Sequence, residues 1–138
     1  MIYGKHVKLQ AYGIDPITLK SKQQAERFLA DALTITGRLI YDLVAYDIED
    51  AVCGDARQPS ELERGAIVVT GITNLSYGAM RTFPDDGYLI ADIYCCRYFE
   101  AGPIESILLG VYNPVRVGVD DLSYSHVFPD KKAARVNN

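Results

Sequence analysis

Between Lys5 and Tyr12, Val7, Leu9 and Ala11 alternate with His6, Lys8, Gln10 and Tyr12, a period of two that predicts a strand with one face on a core. Gly13 and Asp15-Pro16 end it. The period then lengthens. Ala25, Phe28, Leu29, Ala32, Leu33 and Thr36 recur at helical spacing, with Lys22, Gln23, Glu26, Arg27 and Asp31 on the wet side. Ser21 stands three residues before Gln24, a capping-box start, and Gly37 suits the stop, so the pattern predicts a helix over 22–36. Arg38 to Ile48 is β-branched and aromatic and predicts a second strand, with Leu39, Tyr41, Leu43, Ala45 and Asp47 opposite Ile40, Asp42, Val44, Tyr46 and Ile48.

Periodicity fails over 49–64, where Gly54, Pro59, Ser60 and acidic residues predict an exposed loop: an insertion, or a lid or interface arm. Gly65 to Tyr77 and Gly87 to Cys96 read as two further strands, joined through 78–86 by a hairpin-like connection. On the later strand Leu89, Ala91, Ile93 and Cys95 share one face, and Tyr88, Ile90, Asp92, Tyr94 and Cys96 the other. Pro103 opens a second helix with an Ile104, Ile107, Leu108, Val111 stripe that ends near Asn113-Pro114. Val115, Val117 and Val119 make a short last strand, and 131–138 reads as a flexible tail. The order is βαβββαβ. It predicts an α+β fold, a two-layer sandwich with both helices on one face of a mostly antiparallel sheet. The other face then needs a cover; Tyr12, Ile90 and Tyr94 would form a patch there for a second copy, so a homo-oligomer is expected, a dimer first.

Composition narrows the class. A chain of 138 residues, 49% hydrophobic, fits one domain over 1–138 that folds without metal or disulfide. With a net charge of −4 and no clustered Lys and Arg, no nucleic-acid partner is expected. No apolar run approaches the ~18 residues of a membrane span, and MIYGKHVK lacks a signal-peptide apolar region, so a cytoplasmic protein without a membrane partner is expected. Cys53, Cys95 and Cys96 are an odd count in no zinc-ligand pattern, which fits a reducing compartment and no metal site.

The stretch from Thr70 to Cys96, TGITNLSYGAMRTFPDDGYLIADIYCC, carries the candidate chemistry. Together with Gly4-Lys5-His6 on the first strand, it resembles the prokaryotic, pyruvoyl-dependent class of S-adenosylmethionine decarboxylases. The hallmark of that family is E-S-H-x-x-I-H-T-W-P-E-x-G-Y, followed by a strand ending in Thr-Cys. Here the frame runs without a gap from Leu75-Ser76-Tyr77 through Thr82-Phe83-Pro84 and Gly87-Tyr88 to Cys95-Cys96. The resemblance covers about residues 4–120, and only this segment is specific.

The resemblance implies that Ser76 attacks the preceding carbonyl and is converted to an N-terminal pyruvoyl group, the electron sink for decarboxylating S-adenosylmethionine or a related amino acid in polyamine metabolism. Cys96 falls on the family's proton donor, and Phe83 on a tryptophan beside the nucleoside, with Tyr77 and Leu75 also at the substrate. The departures lie in the processing residues. Leu75 replaces Glu, Tyr77 and Arg81 replace the two His, and no serine stands among Ala66, Ile67 and Val68. Arginine stays protonated and cannot be the base a neutral imidazole is, though Arg81 could stabilise an oxyanion. Two alternatives follow. An unprocessed chain, with no cofactor, could bind S-adenosylmethionine or a partner without turnover. Or it could cleave S-adenosylmethionine at the sulfonium to methylthioadenosine, a reaction that needs no pyruvoyl because the cationic sulfur is already a good leaving group.

Overall fold

The structure, a computed structural model, describes residues 2–48 and 65–126. The expected loop over 49–64, with Cys53, and the expected tail over 131–138 lie outside the described residues.

Strand β1 (Ile2–Tyr12) leads into a one-turn helix α1 (Pro16–Leu19) and the main helix α2 (Lys22–Thr36). Strands β2 (Ile40–Ile48), β3 (Ala66–Thr73), β4 (Ser76–Phe83) and β5 (Tyr88–Cys95) follow. Helix α3 (Ala101–Tyr112) and β6 (Arg116–His126) complete the described chain. The strands form one antiparallel sheet in the order β2-β3-β4-β5-β1-β6. Helices α2 and α3 pack together on one face, Phe28 and Tyr112 meeting edge-on at 6.0 Å. The two-layer α+β sandwich is thus as the sequence predicts.

Helix α2 forms where expected because each local signal agrees. The Ser21 hydroxyl accepts from the Gln24 N–H at 3.3 Å, and the Gly37 N–H closes the last turn on Leu33 O at 2.8 Å. Its buried residues are Ala25, Phe28, Leu29, Ala32, Leu33 and Thr36, the predicted stripe. They pack on Val7, Leu9, Val69, Met80, Leu89, Ala91 and Ile93 from the sheet. Each large apolar side chain so buried is worth roughly 1.5–3 kcal/mol.

Three elements differ from the sequence reading. Residues 78–86, expected as a connection, are mostly strand: the chain turns earlier, at Asn74-Leu75, and β4 runs from Ser76 to Phe83. Asn74 makes that turn by accepting the Arg38 and Leu39 N–H groups at 3.0 and 3.2 Å. Gly78 belongs in the strand because a Cβ there would press on Asp92 O and Leu29. Second, Asp15-Pro16, read as a stop, starts α1: Asp15 caps the Ile17 N–H and Pro16 takes the first helical position. Third, the last strand runs on from the valines to His126, paired with β1 along its whole length.

The turn before β5 ends on Gly87, at φ +60, where a Cβ would meet Ile14 O. Ile14 N–H donates to Gly87 O at 3.0 Å, which ties the turn to the end of β1. Among the described residues no helix is long and apolar enough to cross a membrane.

Candidate active site

Strand register decides which side chains meet. Ser76 pairs with Cys95, and Cys95 with Lys5, so the three lie in one row on the helix-covered face at one end of the core. Buried polar residues gather at this end, where Lys5, Thr36, Thr73 and Ser76 are all buried; Thr82, at the far end of β4, is buried too and accepts the Ile67 N–H at 2.9 Å.

Ser76 is 5% exposed. Its hydroxyl lies 2.8 Å from the Thr36 hydroxyl at the end of α2 and 2.6 Å from the Thr73 hydroxyl at the end of β3. Thr73 Oγ1 also accepts the Leu75 and Ser76 N–H groups at 3.1 and 2.8 Å. Ser76 therefore sits in a cage of neutral hydroxyls, none of which takes up a proton near neutral pH. The cage depends on Gly37, because a Cβ at that position would run into the Thr73 side chain.

Cys95 stands beside this cage. Its thiol donates to Thr36 O at 3.4 Å, and burial pushes its pKa up, so the thiol holds its proton at neutral pH. The sequence reading singled out Cys96; the register brings Cys95, and not Cys96, onto the face of Ser76. Cys96 contributes its backbone instead, donating to the Leu75 carbonyl at 3.1 Å. Lys5 completes the row. Its ammonium pairs with Asp121 at 3.0 Å and lies 4.4 Å from the Tyr98 ring centre and 5.2 Å from that of Phe99. Through these contacts it anchors the segment after β5.

That segment forms one wall of a cleft. Thr34 to Arg38 from the end of α2 form the other, with Leu75 and Cys95 between, enclosing about 240 Å³. Leu75, a candidate substrate contact, thus lines the cleft, and Ser76 lies behind it.

The remaining candidates are on the opposite face of the sheet. Tyr77, Arg81 and Phe83 alternate with Ser76, Gly78, Met80 and Thr82 along β4, so they point away from Ser76. Arg81 stacks over Phe83 at 5.1 Å, and Tyr77 against Tyr94 at 5.1 Å. The geometry therefore separates Arg81 from the Leu75-Ser76 peptide, where an oxyanion would form. Tyr12, Ile90 and Tyr94 lie on this open face as the pattern predicts, with Tyr12 and Tyr88 stacked at 4.9 Å and His6 bonded to Asp92 at 3.0 Å. Sequence reasoning missed Thr36, Thr73 and Arg97, which register and helix packing bring to the site from distant positions.

No protein-family model matches the chain, and no curated protein matches it in sequence. Solved structures do match. An adenosylmethionine decarboxylase from Aquifex aeolicus superposes with a TM-score of 0.64 over 94% of this chain and 95% of its own, at 15% identity. The fold is that of the adenosylmethionine decarboxylases. A Trypanosoma brucei AdoMetDC-delta26 monomer matches with a TM-score of 0.52 and 15% identity, over 83% of this chain but 44% of that one. The adenosylmethionine decarboxylase-like fold and the polar row at its sheet end are the frame for the functional reading.

Proposed function

We propose that this chain is a cytoplasmic enzyme that acts on S-adenosylmethionine as an intact polypeptide, without a pyruvoyl group. It cleaves the bond between the sulfonium sulfur and the amino-acid carbon chain. The observation that carries this reading is the Ser76 cage. Conversion of the serine needs its hydroxyl proton removed as it attacks Leu75 C=O. Among the described residues its hydroxyl bonds to those of Thr36 and Thr73, Arg81 faces the other way, and the neighbouring Cys95 thiol is held protonated. Sulfonium cleavage asks less of the protein. The sulfur–carbon bond breaks with its electron pair on sulfur, releasing neutral methylthioadenosine, and the carbon is taken by the substrate's own carboxylate or by water, which gives up a proton. Binding and orientation supply the catalysis. The fold likeness supports the substrate class.

One observation favours a second reading, pyruvoyl-dependent decarboxylation after cleavage before Ser76. The Cys96 N–H donates to Leu75 O, the carbonyl that Ser76 would attack, and so stands where an oxyanion donor is needed. On this reading the product would enter polyamine metabolism, with Cys96 the proton donor.

In either case a second copy covers the open face. Its middle row, Asp120, Lys8 and Asp92, alternates in sign and can pair with a two-fold copy of itself, and the stacked tyrosines beside it form the apolar part.

Incubation with S-adenosylmethionine followed by chromatography tests the choice. Methylthioadenosine from the purified chain supports sulfonium cleavage. Decarboxylated S-adenosylmethionine without methylthioadenosine overturns it in favour of the second reading, and no product overturns both.

A further inference from the structure

We infer that Arg38 and Arg97 make the cleft at the end of α2 a receptor for the carboxylate of an amino-acid group. The inference rests on the proposed function and names which part of the ligand the cleft takes. Both arginines line the cleft. They come from different elements, Arg38 from the residue after the Gly37 cap and Arg97 from the segment after β5. Neither side chain is in an ion pair with a described residue, whereas Lys5, a further cation at this end of the fold, is neutralised by Asp121. Two guanidinium forks in one concave site match a carboxylate's two oxygens.

The α2 wall, which carries Arg38, also has a complementary character. It is the last turn of α2, where Leu33 O takes the Gly37 N–H and Thr36 O the Cys95 thiol. Thr34 and Ile35 also line the cleft, at the end of the helix that attracts positive charge. A group with a carboxylate and an ammonium fits these two walls better than an anion alone. Size points the same way. About 240 Å³ is below the roughly 300–1,000 Å³ of pockets that enclose whole drug-sized ligands, so the cleft takes the amino-acid arm and the nucleoside lies outside it.

Calorimetric titration with two probes tests the inference: S-adenosylhomocysteine, which carries the amino-acid arm without a reactive sulfonium, and methylthioadenosine, which lacks the arm. The unaltered chain should bind the first more tightly. Arg38→Gln and Arg97→Gln should each weaken S-adenosylhomocysteine by roughly tenfold or more, the loss expected of a charged hydrogen bond, and leave methylthioadenosine within about twofold. Both side chains are exposed, so unchanged melting temperatures will show that the variants fold. Equal binding of the two probes, or variants that lower both alike, overturns the carboxylate receptor and leaves the nucleoside reading standing. Binding of neither probe by the unaltered chain overturns the ligand reading, and the receptor falls with it.

Discussion

On its helix side β5 buries Leu89, Ala91, Ile93 and Cys95, while the same strand leaves Tyr88, Ile90, Asp92 and Tyr94 partly open on the other. Across β4 the contrast repeats, with Ser76 buried and Tyr77 58% exposed. On the covered face buried polar groups cluster at one end, where Lys5, Cys95, Ser76, Thr73 and Thr36 converge beside the cleft. The open face is mixed throughout, with charges between aromatic pairs. There hydrogen-bonded hydroxyls and an ion-paired lysine stand where apolar packing would otherwise continue, the kind of departure expected of a site. On the proposed reading the open face is covered by a second copy.

The largest effect should come from breaking the covered face. Phe28→Ala removes a fully buried ring that packs on Tyr112 and should cost about 3–5 kcal/mol in denaturant unfolding. Tyr77→Ser on the open face should change the unfolding free energy of the chain itself by under about 1 kcal/mol, yet shift the sedimenting mass from dimer towards monomer. A stability loss at Tyr77 as large as that at Phe28, with no change in mass, would erase the distinction between the faces.

Next is Gly37→Ala. The added methyl must displace Thr73 and with it the hydroxyl cage, at a cost of about 1–3 kcal/mol. Activity should fall more than stability alone explains. The smallest effect is one of pH. Burial raises the Cys95 pKa above its ordinary 9.0 and the pKa of Tyr112 above its ordinary 10.0. In the window above those ordinary values the folded chain holds protons that the unfolded chain has lost. This contribution to stability is complete below pH 9 and is lost as pH rises through the raised values. Unfolding midpoints should decline from about pH 9 upward, and Cys95→Ala should flatten the first part of the decline.

Much of the covered face was legible in the sequence because local signals and tertiary demands agree there. The stripe of α2, its Ser21 cap and its Gly37 stop define the helix without reference to anything distant. The alternation of β1 and β5 likewise reveals both faces. The turn at Asn74-Leu75 was hidden because its stabilising bonds come from Arg38 and Leu39, far along the chain. Gly78 looked like a breaker, and only packing against Leu29 and Asp92 explains a glycine inside a strand.

The site was half legible. Ser76 stands out by its family-like frame, and adjacent cysteines on a strand must face opposite ways. Which of them meets Ser76 depends on the β4–β5 register, which pairs Ser76 with Cys95. Arg38 and Arg97 belong to no motif; folding alone places them on one cleft.

The central claim is that Ser76 remains an ordinary serine in the working protein, and intact-mass measurement of the active, purified chain tests it most directly. One species with the mass of all 138 residues is expected. Two fragments divided between Leu75 and Ser76, the second beginning with a pyruvoyl group, would contradict it.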